Sequence, residues 1–445
     1  MNQPNNGLSR RSLLKAAGIG GLSLASAGML AGCSVGLNKS SGSSSTKGKG
    51  KHGVTGERTG KELVIYMNAG HIYKAYTDLF SRFEKEHNIK VTVNPQQWPD
   101  LQTKLTAGFL SGDVPDLCEE NGSWWSVRWG TAGNVLALDD YIAKDGKAMG
   151  FPSDFVKAGV EVRQANGSTY AIPLHLTCNG LIFYNKGLLD AANVDAPKTW
   201  DEFTEACKAL TGNGVYGAAL NQDSSYSLPW VLQAGADYFD ASSKKFLTPE
   251  AAAAKSFALQ QNMVYKYKSS PAPVASVSYS GPQKMFSAKQ SAMILTGPWD
   301  ISPIQTGSAD IELGIAAPLT GKTQSATLAG SGLMIPAKSQ NADLAWELIK
   351  EMTKLKTELA VTKETGMTMP RKSWAENSAV KSDPLLNVVA KSLPLAVATD
   401  KPLSQNNNIA SITTAYTTMY QQIVSQQTAV DTAMAKFQST VKSYV

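Results

Sequence analysis

The run Leu63-Val64-Ile65-Tyr66-Met67 is apolar and short, the pattern of a strand covered on both faces. Behind it Ile72, Tyr73, Tyr76, Leu79, Phe80 and Phe83 recur at helical spacing, and Val91-Thr92-Val93 gives a second strand. A strand, a helix and a strand in that order predict an α/β domain with a parallel sheet. Such sheets present ligand-contacting loops at the carboxyl ends of their strands. Asn68, Ala69, Gly70 and His71 form such a loop after the first strand, and Gln97 and Trp98 another after the second. Pro115-Asp116-Leu117 leads into a polar and aromatic cluster, Glu119-Glu120-Asn121-Gly122-Ser123-Trp124-Trp125. Further on, Thr199 caps a helix, with Glu202 closing a capping box and Phe203, Ala206, Cys207 and Leu210 facing inward. The apolar run Ser291–Thr296 stops at Gly297-Pro298 and presents Trp299 beside Asp300. Asp343 to Leu355 reads as an amphipathic helix, and Ala415 to Val441 as one unbroken helix.

The N-terminus has a different character. Ser9-Arg10-Arg11-Ser12-Leu13-Leu14-Lys15 resembles a twin-arginine export motif, a weakly apolar stretch follows, and Leu30-Ala31-Gly32-Cys33 resembles a lipobox. Residues 1–32 are therefore expected to be an export signal, with Cys33 carrying diacylglycerol. The apolar stretch is shorter than the roughly 20 residues a spanning helix needs. Residues 33–60 are rich in Gly, Ser and Lys and read as a flexible tether. That region also carries the charge. Of 42 basic and 36 acidic residues, eight and one fall within 1–60, leaving 34 against 35 and a net charge near −1 for the rest. A basic tether suits an anionic membrane surface, and nothing points to nucleic acid. The remaining 385 or so residues exceed what one core usually organises, so two domains are expected. Cys118, Cys178 and Cys207 show no metal-like spacing; Cys207 reads as core, and a Cys118–Cys178 pair stays open. The histidines, His52, His71, His87 and His175, are scattered, so the sequence supports neither a metal nor a cofactor.

Five segments occur in a recognisable order: LSGDVPDL, GSTYAIPLHLTCNGLIFYNKGLL, APKTWDEFTEACKAL, MFSAKQSAMILTGPWDI and LAGSGLMIPAKSQNADLAWELIKEM. Together they resemble the extracellular solute-binding proteins of carbohydrate ABC importers, the group that includes maltose-binding protein. The resemblance implies a two-lobed α/β fold of the periplasmic-binding-protein type, each lobe a mainly parallel sheet flanked by helices and joined by hinge crossings. The first lobe would take residues 61–175 plus about 328–380, the second 176–327 plus about 381–445. It further implies a receptor that captures a sugar between the lobes. The receptor would deliver that sugar to membrane permease subunits driven by a cytoplasmic ATPase. A monomer held by Cys33 at the extracellular face of the membrane is expected.

A sugar site needs aromatic platforms for C–H faces and carboxylates or amides for hydroxyls. Trp299 reads as a platform, with core packing as its alternative. Asp300 reads first as a helix cap and second as a ligand contact. Trp230 divides evenly between ligand and core. Glu119, Glu120 and Asn121, Asn68 and His71, Trp98 and Asn179 are further candidates, and Asn68 could instead close its own loop. Gly330 and Ser331, in LAGSG, would let backbone approach a hydroxyl. Arg371 reads mainly as a surface charge. Glu119 and Glu120 are adjacent and should point to opposite sides, which argues against the alternative of a lipid-anchored glycoside hydrolase. The same fold with a non-sugar solute, such as a polyamine or peptide, is the other alternative.

Overall fold

The computed structural model describes residues 61–274 and 280–445. The expected export signal, Cys33 and the tether lie outside the described residues. Strands β1 (Glu62–Asn68), β2 (Lys90–Gln96), β3 (Leu117–Asn121) and β4 (Ile172–Asn179) build a first sheet. Strands β5 (Leu181–Asn185), β6 (Tyr216–Ala219), β7 (Ser291–Thr296) and β8 (Leu313–Ala316) build a second. The chain then returns through β9 (Ala326–Met334) and β10 (Ala396–Val397) to the first sheet. Two small two-stranded ladders stand apart from both.

β1 lies between β2 and β3, parallel to each, as the strand–helix–strand pattern predicts. The intervening helix, Lys74–His87, buries Tyr76, Leu79, Phe80 and Phe83 and ends at Asn88 in the left-handed region. Pro95 is tolerated in β2 because that strand forms the sheet's edge. β9 runs antiparallel to β3 along one side and to β4 along the other. In the second sheet the order is β8-β5-β7-β6, with β7 parallel to β6 and β5 antiparallel to both its neighbours. β5 follows β4 of the first sheet across the single residue Gly180.

The Thr199 cap forms, with the reciprocal bond of the box shifted by one residue to Lys198. Thr199 Oγ1 accepts from the Glu202 N–H at 3.2 Å, and the Glu202 carboxylate reaches back to the Lys198 N–H at 2.8 Å. Cys118, Cys178 and Cys207 are all free and buried, so the open pairing of the first two is not made. The single C-terminal helix is corrected to two, Ile409–Val424 and Val430–Val441. Between them Gln427 sits at φ 55°, and the Gln261 side chain donates to the Ile423 and Thr428 carbonyls, at 3.1 and 2.7 Å. The pair folds over helix Glu250–Tyr265, burying Tyr416, Met419 and Phe437 against Phe257. Arg371 is no surface charge either. It is buried, donating to the Thr353 carbonyl and paired with Asp154 at 2.9 Å.

Candidate functional site

At the end of β1, the Asn68 Oδ1 accepts from the Gly70 N–H at 2.8 Å and turns the chain into the short 3-10 segment Ala69–His71. Its backbone N–H donates to Glu119 Oε2 at 2.9 Å, while its buried Nδ2 has no partner. Glu119, fully buried on β3, also meets His71 Nδ1 at 2.6 Å through Oε1. The His175 Nδ1 on β4 stands 3.7 Å from that same oxygen and 2.9 Å from Ser331 Oγ on β9. His175 Nε2 faces the Tyr76 hydroxyl at 3.1 Å. Burial alone would raise the Glu119 carboxyl, but the His71 and His175 rings outweigh it and hold Glu119 well below the usual carboxylate range. His175 itself is pushed down to about 4 by burial.

Glu120 takes the opposite face of β3, as alternation along a strand requires. It pairs with the buried Arg163 at 2.7 Å, and its Oε2 has no partner. Burial outweighs that guanidinium and pushes Glu120 up to about 7. Two glycines of β9 make these arrangements possible. A Cβ at Gly332 would collide with the Arg163–Glu120 pair. Gly330, at φ 137°, passes so close to the His175 carbonyl that no side chain fits. Asn121 ends β3 exposed, beside Ser331 in register. Trp98 is half-buried, edge-on to both His71 and Trp125 at ring distances of 5.6 and 5.9 Å.

On the second sheet, β7 ends at Thr296 and the chain turns at Gly297-Pro298. Trp299 folds back over Gly297, half-buried and edge-on to Tyr226 at 6.3 Å, and its indole N–H has no hydrogen-bond partner. Asp300 is corrected as a cap: its carboxylate makes no bond to helix Ile301–Gly307. It turns back instead to accept from Thr296 Oγ1 at 2.6 Å, and burial pushes it up to about 6. Trp230 belongs to the core. It is 1% exposed, wedged against Trp200 and Phe203 in a helix, Leu228–Gln233, that is buried at every position. Asn179 closes β4, 4% exposed, and its Oδ1 has no partner.

The sequence passed over His175, Tyr76 and Arg163. One signal was present: His175 interrupts IPLHLTCN, a strand buried along all eight residues, where a polar side chain must find a partner.

Among curated proteins, the chain is 26% identical over 326 residues to the arabinooligosaccharide-binding protein of Bacillus subtilis, covering 69% of this chain and 71% of that one. It is also 26% identical over 347 residues to the maltooligosaccharide ABC transporter solute-binding lipoprotein of Streptococcus pneumoniae, 74% of this chain and 77% of that one. Among solved structures, an ABC transporter solute-binding protein from Thermotoga lettingae bound with α-D-tagatose superposes with a TM-score of 0.78 at 21% identity. That match covers 86% of this chain and all of the other, and it establishes the two-lobed fold. Residues 69–357 match the model of the bacterial extracellular solute-binding proteins, and the chain belongs to that family.

Proposed function

We propose that this chain captures an oligosaccharide in a cleft between its two lobes and hands it to an ABC import permease. The observation that carries the reading is a set of buried polar atoms without partners at strand ends of both sheets. They are Asn68 Nδ2, Asn179 Oδ1 and Trp299 Nε1. Leaving such a group unsatisfied costs about 1–3 kcal/mol each, and sugar hydroxyls would supply both the donor and the acceptors needed. The half-buried indoles of Trp98 and Trp299 offer faces for the C–H side of a sugar ring.

The first lobe would take residues 61–175 with about 328–380, the second 176–327 with about 381–445, and closure would be a hinge motion that a permease can sense. Binding without chemistry fits Glu119 and Glu120, which are each committed to a partner on opposite faces of β3. Cys33 would carry the lipid that holds the protein at the extracellular face of the membrane, the chain acting as a monomer. No helix among the described residues is long and apolar enough to span a bilayer.

The test is calorimetry against arabino-, galacto-, malto- and chito-oligosaccharides. We expect saturable binding of one class, with the sugar recovered intact and the melting temperature raised by mass action. Trp299→Ala should weaken that binding at least tenfold while leaving a cooperative melt. Cleaved sugar, or wild-type affinity in the variant, would overturn the reading. Cys33→Ser should move the protein from the membrane fraction to the medium; retention would refute the anchor.

A further inference from the structure

We propose that His71, Glu119 and His175 form a binding site for one divalent transition-metal ion of the zinc type, set in the end of the first sheet. The three side chains offer ligand atoms that all lie within 4.8 Å of one another. They come from three separate places: the turn after β1, the middle of β3 and the middle of β4. Sequence separations of 48 and 56 residues from Glu119 hide the cluster; β1 brings His71 to β3 by pairing with it, and β9 brings His175 there by pairing with both β3 and β4.

The geometry is close to what such an ion needs. Ligands about 2.0–2.2 Å from a tetrahedral zinc lie roughly 3.3 Å from one another. Here the His71 Nδ1 and His175 Nδ1 stand 2.6 and 3.7 Å from Glu119 Oε1, one inside that spacing and one outside it. Side-chain shifts of less than about 1 Å would equalise them. Two imidazoles and one carboxylate suit zinc, iron, nickel or copper, whereas calcium and magnesium prefer all-oxygen sets.

The outer contacts orient the ligands. Glu119 Oε2 is held by the Asn68 N–H at 2.9 Å, which leaves Oε1 toward the rings. His175 Nε2 is held by the Tyr76 hydroxyl at 3.1 Å, which leaves Nδ1 toward Glu119. Metal-bound histidines are typically fixed through their second nitrogen in this way. Ser331 Oγ, 2.9 Å from His175 Nδ1, adds an oxygen to the same space. Access runs past His71, whose side chain is 14% exposed, while Glu119 and His175 are closed off from water. That leaves the remaining coordination position on the His71 side. The proposal does not depend on a sugar being bound.

The experiment uses the full chain, stripped with a chelator and titrated with Zn²⁺ by calorimetry, with Co²⁺ as a spectroscopic probe. We expect one ion per chain, a Co²⁺ ligand-field spectrum of low coordination number and a rise in melting temperature on adding Zn²⁺. His71→Ala trims the one ligand side chain of the three that reaches the surface and should fold; it should lose at least tenfold in affinity together with the thermal shift. Glu119→Gln should do the same. A His52→Ala/His87→Ala double variant should bind as wild type does, separating this site from the other two histidines. The proposal is overturned if wild type shows no saturable binding below millimolar Zn²⁺. It is equally overturned if His71→Ala binds unchanged, or if the double variant abolishes binding.

Discussion

Asp300→Asn isolates one buried ionisation. Burial pushes the Asp300 carboxyl from 3.8 up to about 6, opposed only by the hydrogen bond from Thr296. A carboxyl that is harder to ionise folded than unfolded adds stability below its unfolded value and loses it as pH rises through the folded one. At 1.36 kcal/mol per unit, the ionised Asp300 costs the native state about 3 kcal/mol at high pH, roughly 2 of which appear between about pH 4.5 and 7.5. Asparagine fills the same space, can still accept from Thr296 Oγ1 and carries no charge. Urea denaturation of both proteins across that window gives the comparison, since every other titrating group cancels in the difference. The variant should gain on wild type by about 2 kcal/mol as pH rises, and change little relative to it near pH 4. A stability difference that stays flat with pH would refute the assignment of a strained, buried carboxylate to this position.

Two further substitutions probe β9 and its neighbours. Gly330→Ala forces a side chain into the left-handed region against the His175 carbonyl. It should cost more than about 2 kcal/mol in urea denaturation, because the obstacle is backbone and cannot rotate away; a loss under about 0.5 kcal/mol would refute the close approach. Arg163→Met leaves Glu120 buried without its cation, so Glu120, already at about 7, rises further. The destabilisation should therefore be smaller near pH 5, where the carboxyl is protonated, than near pH 8, where it approaches the roughly 3–5 kcal/mol of a broken buried pair. An equal loss at both pH values would show that Arg163 acts through packing alone.

What the sequence disclosed, and what it hid, divides along the reach of the interaction. The β1–helix–β2 unit and the Thr199 box are local, set by periodicity and by a cap three residues from its partner, and both stand in the fold. The break near Gln427 is not local. No glycine or proline marks it, and the turn is held from outside by Gln261, some 160 residues away. Trp230 and Trp299 show the same limit in the candidate site. Both sit near a proline in apolar surroundings, and only the packing separates the indole enclosed by Trp200 and Phe203 from the one folded over Gly297 with an unpaired N–H.

Asp300 reads as a helix cap because Asp before a helix usually caps it, and the fold overrides that local preference. The competing donor, the Thr296 hydroxyl at the end of β7, is four residues back and wins because the carboxylate is buried against the strand rather than turned to the helix. The histidines make the point more strongly. Scattered in sequence, His71 and His175 converge on Glu119 because β1 pairs directly with β3 while β9 lies between β3 and β4, with Ser331 opposite both Asn121 and His175. Gly330 and Gly332 flank that serine, and each is required by a contact to a different neighbour, the His175 backbone and the Arg163–Glu120 pair. LAGSG, which reads in sequence as a loop where backbone nears a ligand, is instead a strand whose missing side chains let two buried polar clusters assemble on its flanks. Gly330→Ala should accordingly disturb the histidine cluster even where it leaves Trp299 untouched.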